Sequence, residues 1–199
     1  MSAADSPDPS HGLVSAPADA LPCVILIGMA GSGKSTIGAR LALEMDWAFL
    51  DSDHLMEALY GCRLQDLTDA LDRDAFLDVE CAVIRAIRAR RAVIATGGSV
   101  VYREAAMRHL ASLGHVVYLD VPLDEIQRRI ARNPQRGLSL GPGQTVADLY
   151  HERAPLYAAW AALRCDAARG TPGRCARWIL NHLPPEFQTA AGDADPDAR

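Results

Sequence analysis

The run Gly28-Met-Ala-Gly-Ser-Gly-Lys34-Ser35 fits G-x-x-x-x-G-K-[ST], a spacing whose chemistry is the holding of a polyphosphate chain. In that pattern the backbone N–H groups of Gly28, Met29, Ala30, Gly31, Ser32 and Gly33 turn inward to phosphate oxygens, because glycine reaches torsions that other residues avoid. Lys34 then reaches the β- and γ-phosphates and the Ser35 hydroxyl ligates Mg²⁺. The helix that continues through Thr36 turns its positive end to the anion. An accidental Gly-rich turn is the competing reading. It weakens because an apolar strand pattern precedes the motif and a helical pattern follows it. Lys34 is also the only lysine in the chain; every other basic residue is arginine. A compact, flexible ammonium fits between two phosphates where a planar guanidinium does not.

A second group of candidates is Asp51-Ser52-Asp53, which closes the next apolar run. Along an extended chain alternate side chains share a side, so both carboxylates would face the carboxyl edge of a sheet, one for a metal and one for an acceptor. The plainer reading is a helix N-cap followed by its first turn. Beside a phosphate-binding loop the functional reading is preferred. Guanine recognition through N-K-x-D needs a second lysine, and no Asp stands three residues before a Gly, so a signalling GTPase is excluded. A motor ATPase needs a longer chain. A kinase acting on a nucleoside or small metabolite remains.

The elements that must position these residues can be read from the apolar pattern. CVILIG, WAFLD, AVIAT and HVVYLD are continuous apolar runs, which predicts strands buried on both faces of a parallel sheet. Ile37, Leu41 and Met45 share one helical face, and Phe76, Val79, Val83, Ile84 and Ile87 repeat at helical spacing. Further helices are expected over Arg103 to Leu113, Leu123 to Arg132, the Asp148 to Leu163 region and Arg174 to Leu183. The alternation gives a doubly wound α/β plan. With 199 residues, 49% of them hydrophobic, the chain fits one domain with a full core, expected over 21–185 with loose tails at 1–20 and 186–199. A net charge of -5 and no basic run make nucleic acid an unsuitable partner. No apolar stretch is long enough for a bilayer and no signal-peptide pattern opens the chain, so a cytoplasmic protein without membrane contact is expected. The five cysteines include no C-x-x-C pair, and the six histidines form no metal pattern.

From Cys23 to Leu183 the chain resembles the shikimate kinase family. The matching pieces are GMAGSGKST, the DSD, Phe76 and Glu80 of F-R-x-x-E, ATGGS for A-T-G-G-G, VVYLDVPL, Arg136 with Leu138 for the R-P-L-L lid, and Arg153-Ala-Pro-Leu-Tyr for R-x-P-L-Y. The resemblance implies a nucleoside-monophosphate-kinase-like fold, a central parallel sheet in three layers with a mobile lid near 133–144. It also implies Mg²⁺ with ATP as phosphoryl donor and a small hydroxylated acid as acceptor; separately, a monomer is expected. Carried over by position, it gives Lys34 and Ser35 to ATP and Mg²⁺, Asp51 to the metal, and Asp53 to the acceptor hydroxyl. Gly97, Gly98 and Ser99 go to the acceptor, Arg132 to adenine, Arg136 to the phosphates from the lid, and Arg153 to the acceptor carboxylate.

Three departures stand out. Leu77 replaces the arginine of F-R-x-x-E, Ser99 the third glycine of A-T-G-G-G, and Gly137 the lid proline. Losing the arginine removes half of a carboxylate clamp. Arg73, one helical turn earlier, is a possible substitute. A site short of a cation and next to Asp78 and Glu80 suits an acceptor that carries its own ammonium. L-Homoserine, with a place in threonine biosynthesis, is therefore the leading expectation, and shikimate is second. A nucleotide-binding module without catalysis is the third reading, disfavoured because Asp53 and Arg153 would then have no task.

Overall fold

The computed structural model describes residues 22–132, 143–168 and 170–188. Its centre is a five-stranded sheet: β1 (Cys23–Ile27), β2 (Ala48–Asp51), β3 (Ala92–Ala95), β4 (Gly114–Asp120) and β5 (Leu163–Asp166). The order is β2-β3-β1-β4-β5 and every pairing is parallel. Of the three inner strands, β1 and β3 are buried at every position, as their unbroken apolar sequences require, while β4 is buried from Val116 to Leu119. The helices are α1 (Lys34–Met45), α2 (Ser52–Tyr60), α3 (Leu64–Ala70), α4 (Arg73–Ala86), α5 (Glu104–Leu113), α6 (Leu123–Arg132), α7 (Val146–Trp160), α8 (Pro172–His182) and the short α9 (Pro185–Gln188). The chain leaves β1 toward β2 on one side and later returns to place β4 on the other. The carboxyl end of β1 is therefore the switch point of the sheet, where α/β folds bind their ligands.

Burial divides the apolar residues into two groups. The larger surrounds the sheet. The smaller joins Met56, Leu67, Phe76, Leu77 and Val83 beneath α2, α3 and α4, and Leu55 packs against both. Leu77 is a member of this second group at 3% exposure, so the residue standing in place of the arginine has an apolar packing role.

Three expectations are corrected. The helix expected to reach Leu163 ends at Trp160, and β5 follows, an edge strand in which only Cys165 is buried. Such a strand has no continuous apolar run to betray it; Arg164 lies at its surface and pairs with Asp120 at 2.6 Å. The DSD sequence is not extended throughout, because α2 begins at Ser52. The ordered chain also continues past 185. Phe187 on α9 is 3% exposed and packs against Trp47 and His115, so 186–188 are not part of a loose tail; the rest of the tail expected at 186–199 lies outside the described residues. The tail expected at 1–20 lies outside the described residues, as does the lid from 133 through Pro142, with Arg136, Gly137 and Leu138 in it.

Candidate active site

The phosphate-binding loop leaves β1 and enters α1. Gly28, Gly31 and Gly33 have φ of 144°, 82° and 100°, and a Cβ on Gly28 would stand 2.7 Å from the Leu119 carbonyl oxygen. Lys34 is buried, and its Nζ donates to the carbonyl oxygens of Gly28 at 2.7 Å and Met29 at 2.9 Å. The loop thus holds the ammonium at its own rim.

Asp51 caps α2, its Oδ1 accepting from the Asp53 N–H at 3.0 Å. The plainer reading of the DSD therefore holds for Asp51, while Asp53 still faces the site from the first helical turn. Between them Ser52 Oγ accepts from the Gly97 N–H at 3.0 Å and ties α2 to the loop after β3. Thr96 secures the same loop by donating its hydroxyl to Leu26 O at 3.0 Å. Gly97 tolerates no side chain: a Cβ there would lie 2.8 Å from Asp53 Oδ1 and overlap the Glu80 carboxylate.

A half-buried carboxylate, Asp53, and a fully buried one, Glu80, consequently sit together. Burial, and next the charge of Asp51, push the Asp53 carboxyl up to about 6. Burial, and next the charge of Asp53, push Glu80 up to about 7, while the nearby Ser99 hydroxyl favours its ionised form. Ser99 is thus more than a narrowed glycine position. It is a polar neighbour of the Glu80 carboxylate.

Arg153 enters from α7 and is 2% exposed. Its Nε donates to the Tyr102 hydroxyl at 3.0 Å, and a Cβ on Gly98 would come within 3.2 Å of its Nη1. Its Nη2 is buried with no hydrogen-bond partner among the described residues. Tyr157, one turn later, donates its hydroxyl to Gly98 O and stacks on Tyr118. Arg73 is drawn into the same neighbourhood, its guanidinium 4.7 Å from the Tyr102 ring centroid.

A cavity of about 810 Å³ lies over this arrangement, lined by Lys34, Ser35, Asp51, Asp53, Thr96 and Gly98 on one side and by His54, Arg63 and Gln65 on the other. A second, of about 330 Å³, continues from it across Gly31 and Gly33 to Arg132, Ala167, Gly170 and Pro172. Arg132 borders this cavity, but Arg129, absent from the sequence-based site, is the more deeply engaged. It donates to Gly31 O at 3.2 Å, to Ala167 O at 3.1 Å and to Glu125 at 2.7 Å. The available signal was spacing, since Arg129 follows the fully buried Ile126 by three residues and so shares its inward face.

A phosphate-binding loop at the switch point of a parallel sheet, opening on a cavity lined by Asp51 and Asp53 with the buried Arg153 guanidinium close to Gly98, marks a phosphotransferase that uses ATP and acts on a hydroxyl group. The family model described as shikimate kinase matches residues 30–184. The shikimate kinase of Chromohalobacter salexigens is 42% identical over 82% of this chain and 90% of its own length. That of Nitratidesulfovibrio vulgaris is 40% identical over 68% of this chain and 81% of its own. Among solved structures, shikimate kinase from Acinetobacter baumannii in complex with shikimate superposes with a TM-score of 0.74 at 30% identity, covering 82% of this chain and 96% of that one. The chain belongs to the shikimate kinase family. These relatives give no support to homoserine or to threonine biosynthesis, and shikimate, placed second on sequence, is the better supported acceptor. Leu77 misled because a missing arginine was read as a missing charge, although Arg73 stands beside the site.

Proposed function

We propose that the protein transfers the γ-phosphoryl group of ATP to a hydroxyl of shikimate, giving shikimate 3-phosphate. The observation that carries the reading is the Arg153 Nη2, a buried donor with no partner among the described residues, held beside Gly98 in a chain whose relatives are shikimate kinases. A buried guanidinium left unpaired is costly, and an acceptor carboxylate would satisfy it.

The remaining roles follow from position. Lys34 lies at the rim of the loop, where it can shift from the carbonyls of Gly28 and Met29 to the transferred phosphate. Arg129 and Arg132 border the smaller cavity, which suits adenine, and Arg136 on the lid is assigned to the phosphates. Asp53 accepts the hydrogen bond of the acceptor hydroxyl and orients its oxygen toward phosphorus. Glu80, beside Ser99, braces the floor beneath it. The Ser35 hydroxyl and the Asp51 carboxylate are hard oxygen donors on one cavity wall, a set that fits Mg²⁺ held largely by substrate phosphates. When bound, the ion would offset charge on the phosphate oxygens; the protein's own share is positioning and charge complementarity. Five free cysteines agree with a cytoplasmic enzyme, and we take it to act as a monomer.

The deciding experiment is ADP release with shikimate, homoserine, serine and gluconate in parallel. The highest kcat/KM is expected with shikimate. A homoserine value above it would overturn the assignment of the acceptor and leave the kinase intact.

A further inference from the structure

Arg73 occupies the first position of α4, where a cation opposes the helix dipole. Something outside the helix must hold it there. Its Nη2 meets Glu152 Oε1 at 3.1 Å, and its guanidinium carbon lies 4.7 Å from the centroid of the Tyr102 ring. The guanidinium of Arg153 lies 4.9 Å from that same centroid. Tyr102 joins the two further, because its hydroxyl accepts from Arg153 Nε at 3.0 Å. Glu152 is itself divided, its second oxygen accepting from Gln144 at 2.9 Å.

Two guanidinium groups on one aromatic ring attract the ring and repel each other. Glu152 answers part of the charge of Arg73. No carboxylate oxygen among the described residues forms an ion pair with Arg153, whose Nη2 is also unpartnered. The arrangement has the charge and the vacant donor to receive one more anion. Arg73 and Glu152 side chains are 40% and 41% exposed, so the Arg73 guanidinium has freedom to swing, whereas Arg153 is fixed.

We propose that Arg73 is the second cation of the acceptor-carboxylate site, set beside Arg153 on the shared Tyr102 ring. The proposal rests on the reading that the acceptor carries a carboxylate. It assigns to the start of α4 the charge that Leu77, turned into an apolar cluster, does not supply.

The test uses the full chain with shikimate and with its carboxamide, which keeps the hydroxyls and lacks the anion. Arg73→Ala is expected to raise KM for shikimate at least tenfold, with kcat within threefold of wild type and KM for ATP unchanged. Arg73→Lys should recover part of the loss, and the carboxamide should be handled equally by wild type and Arg73→Ala. Arg103→Ala, which removes a half-buried arginine paired with Asp74 and Asp78 of α4, should leave KM for shikimate within twofold. An unchanged KM in Arg73→Ala, or an equal rise for shikimate and carboxamide, overturns the proposal, the second because it marks a merely structural loss. If wild type prefers another carboxylate acceptor, the shikimate assignment fails alone and the same comparison is made with that acceptor and its amide. Turnover of no carboxylate acceptor overturns both.

Discussion

The ammonium of Lys34 rests on two carbonyl oxygens of the loop that it serves, at 2.7 and 2.9 Å, in a buried position. A guanidinium is planar and wider, and cannot make that pair of short contacts within the same turn. Lys34→Arg should therefore lower kcat at least a hundredfold while the melting temperature stays within a few degrees of wild type. Near-normal turnover would show that any cation suffices at that rim. Glu80 makes a different case, because its burial works against the ionised form. Its carboxyl is held at about 7, well above the ordinary 4.5. The folded state thus binds the proton more tightly than the unfolded chain does. The associated stability is complete below pH 4.5 and is lost as pH rises through 7. That displacement is worth ~3 kcal/mol at most. Glu80→Gln should accordingly melt near the wild type at pH 4 and above it at pH 8, with weaker catalysis at both. A variant that melts lower at pH 8 would mean that Ser99 and Arg153 more than repay the burial of the charge.

The elements differ in how openly their sequences announce them. Strands β1 and β3 are buried on both faces, so only apolar residues can form them, and the phosphate-binding loop must contain glycine where φ is positive. Both were legible. β5 was not, since an edge strand needs no continuous apolar run, and α2 hid behind an Asp51 that serves as cap and cavity wall together. Tyr102 belongs to a short 3-10 turn, Val100–Tyr102, and its two arginines come from α4 and α7. Only the folded chain brings those three together. Arg129 was hidden for a related reason. It joins the carbonyl of Gly31 in the phosphate loop to that of Ala167 after β5, two segments far apart in sequence. Removing it frees both loops at once and leaves their carbonyls unpaired. Arg129→Ala should raise KM for ATP at least tenfold and lower the melting temperature by several degrees. Arg132→Ala, which borders the cavity without these bonds, should change KM for ATP less. The reverse order would return the nucleotide contact to Arg132.

The molecule is built on two apolar bodies, one around the sheet and a smaller one beneath α2, α3 and α4, with Leu55 touching both. The phosphate loop stands on the first. The acceptor cavity takes His54, Arg63 and Gln65 from elements over the second. Leu77 is part of that smaller body, together with Met56, Phe76 and Val83. A simple reading of the missing arginine would restore it with Leu77→Arg and expect tighter binding of the acceptor. The packing argues otherwise. At 3% exposure the position offers no water to a guanidinium, and an unpaired charge there would cost several kcal/mol or force the side chain out through its neighbours. Because the damage falls on the smaller body, unfolding should begin locally before it becomes global. Leu77→Arg should therefore speed hydrogen exchange across α2, α3 and α4 while β1 and β3 keep their protection, and KM for the acceptor should rise. A fall in KM with unchanged exchange would mean that the arginine finds the carboxylate after all, and that Arg73 and the restored residue can share it.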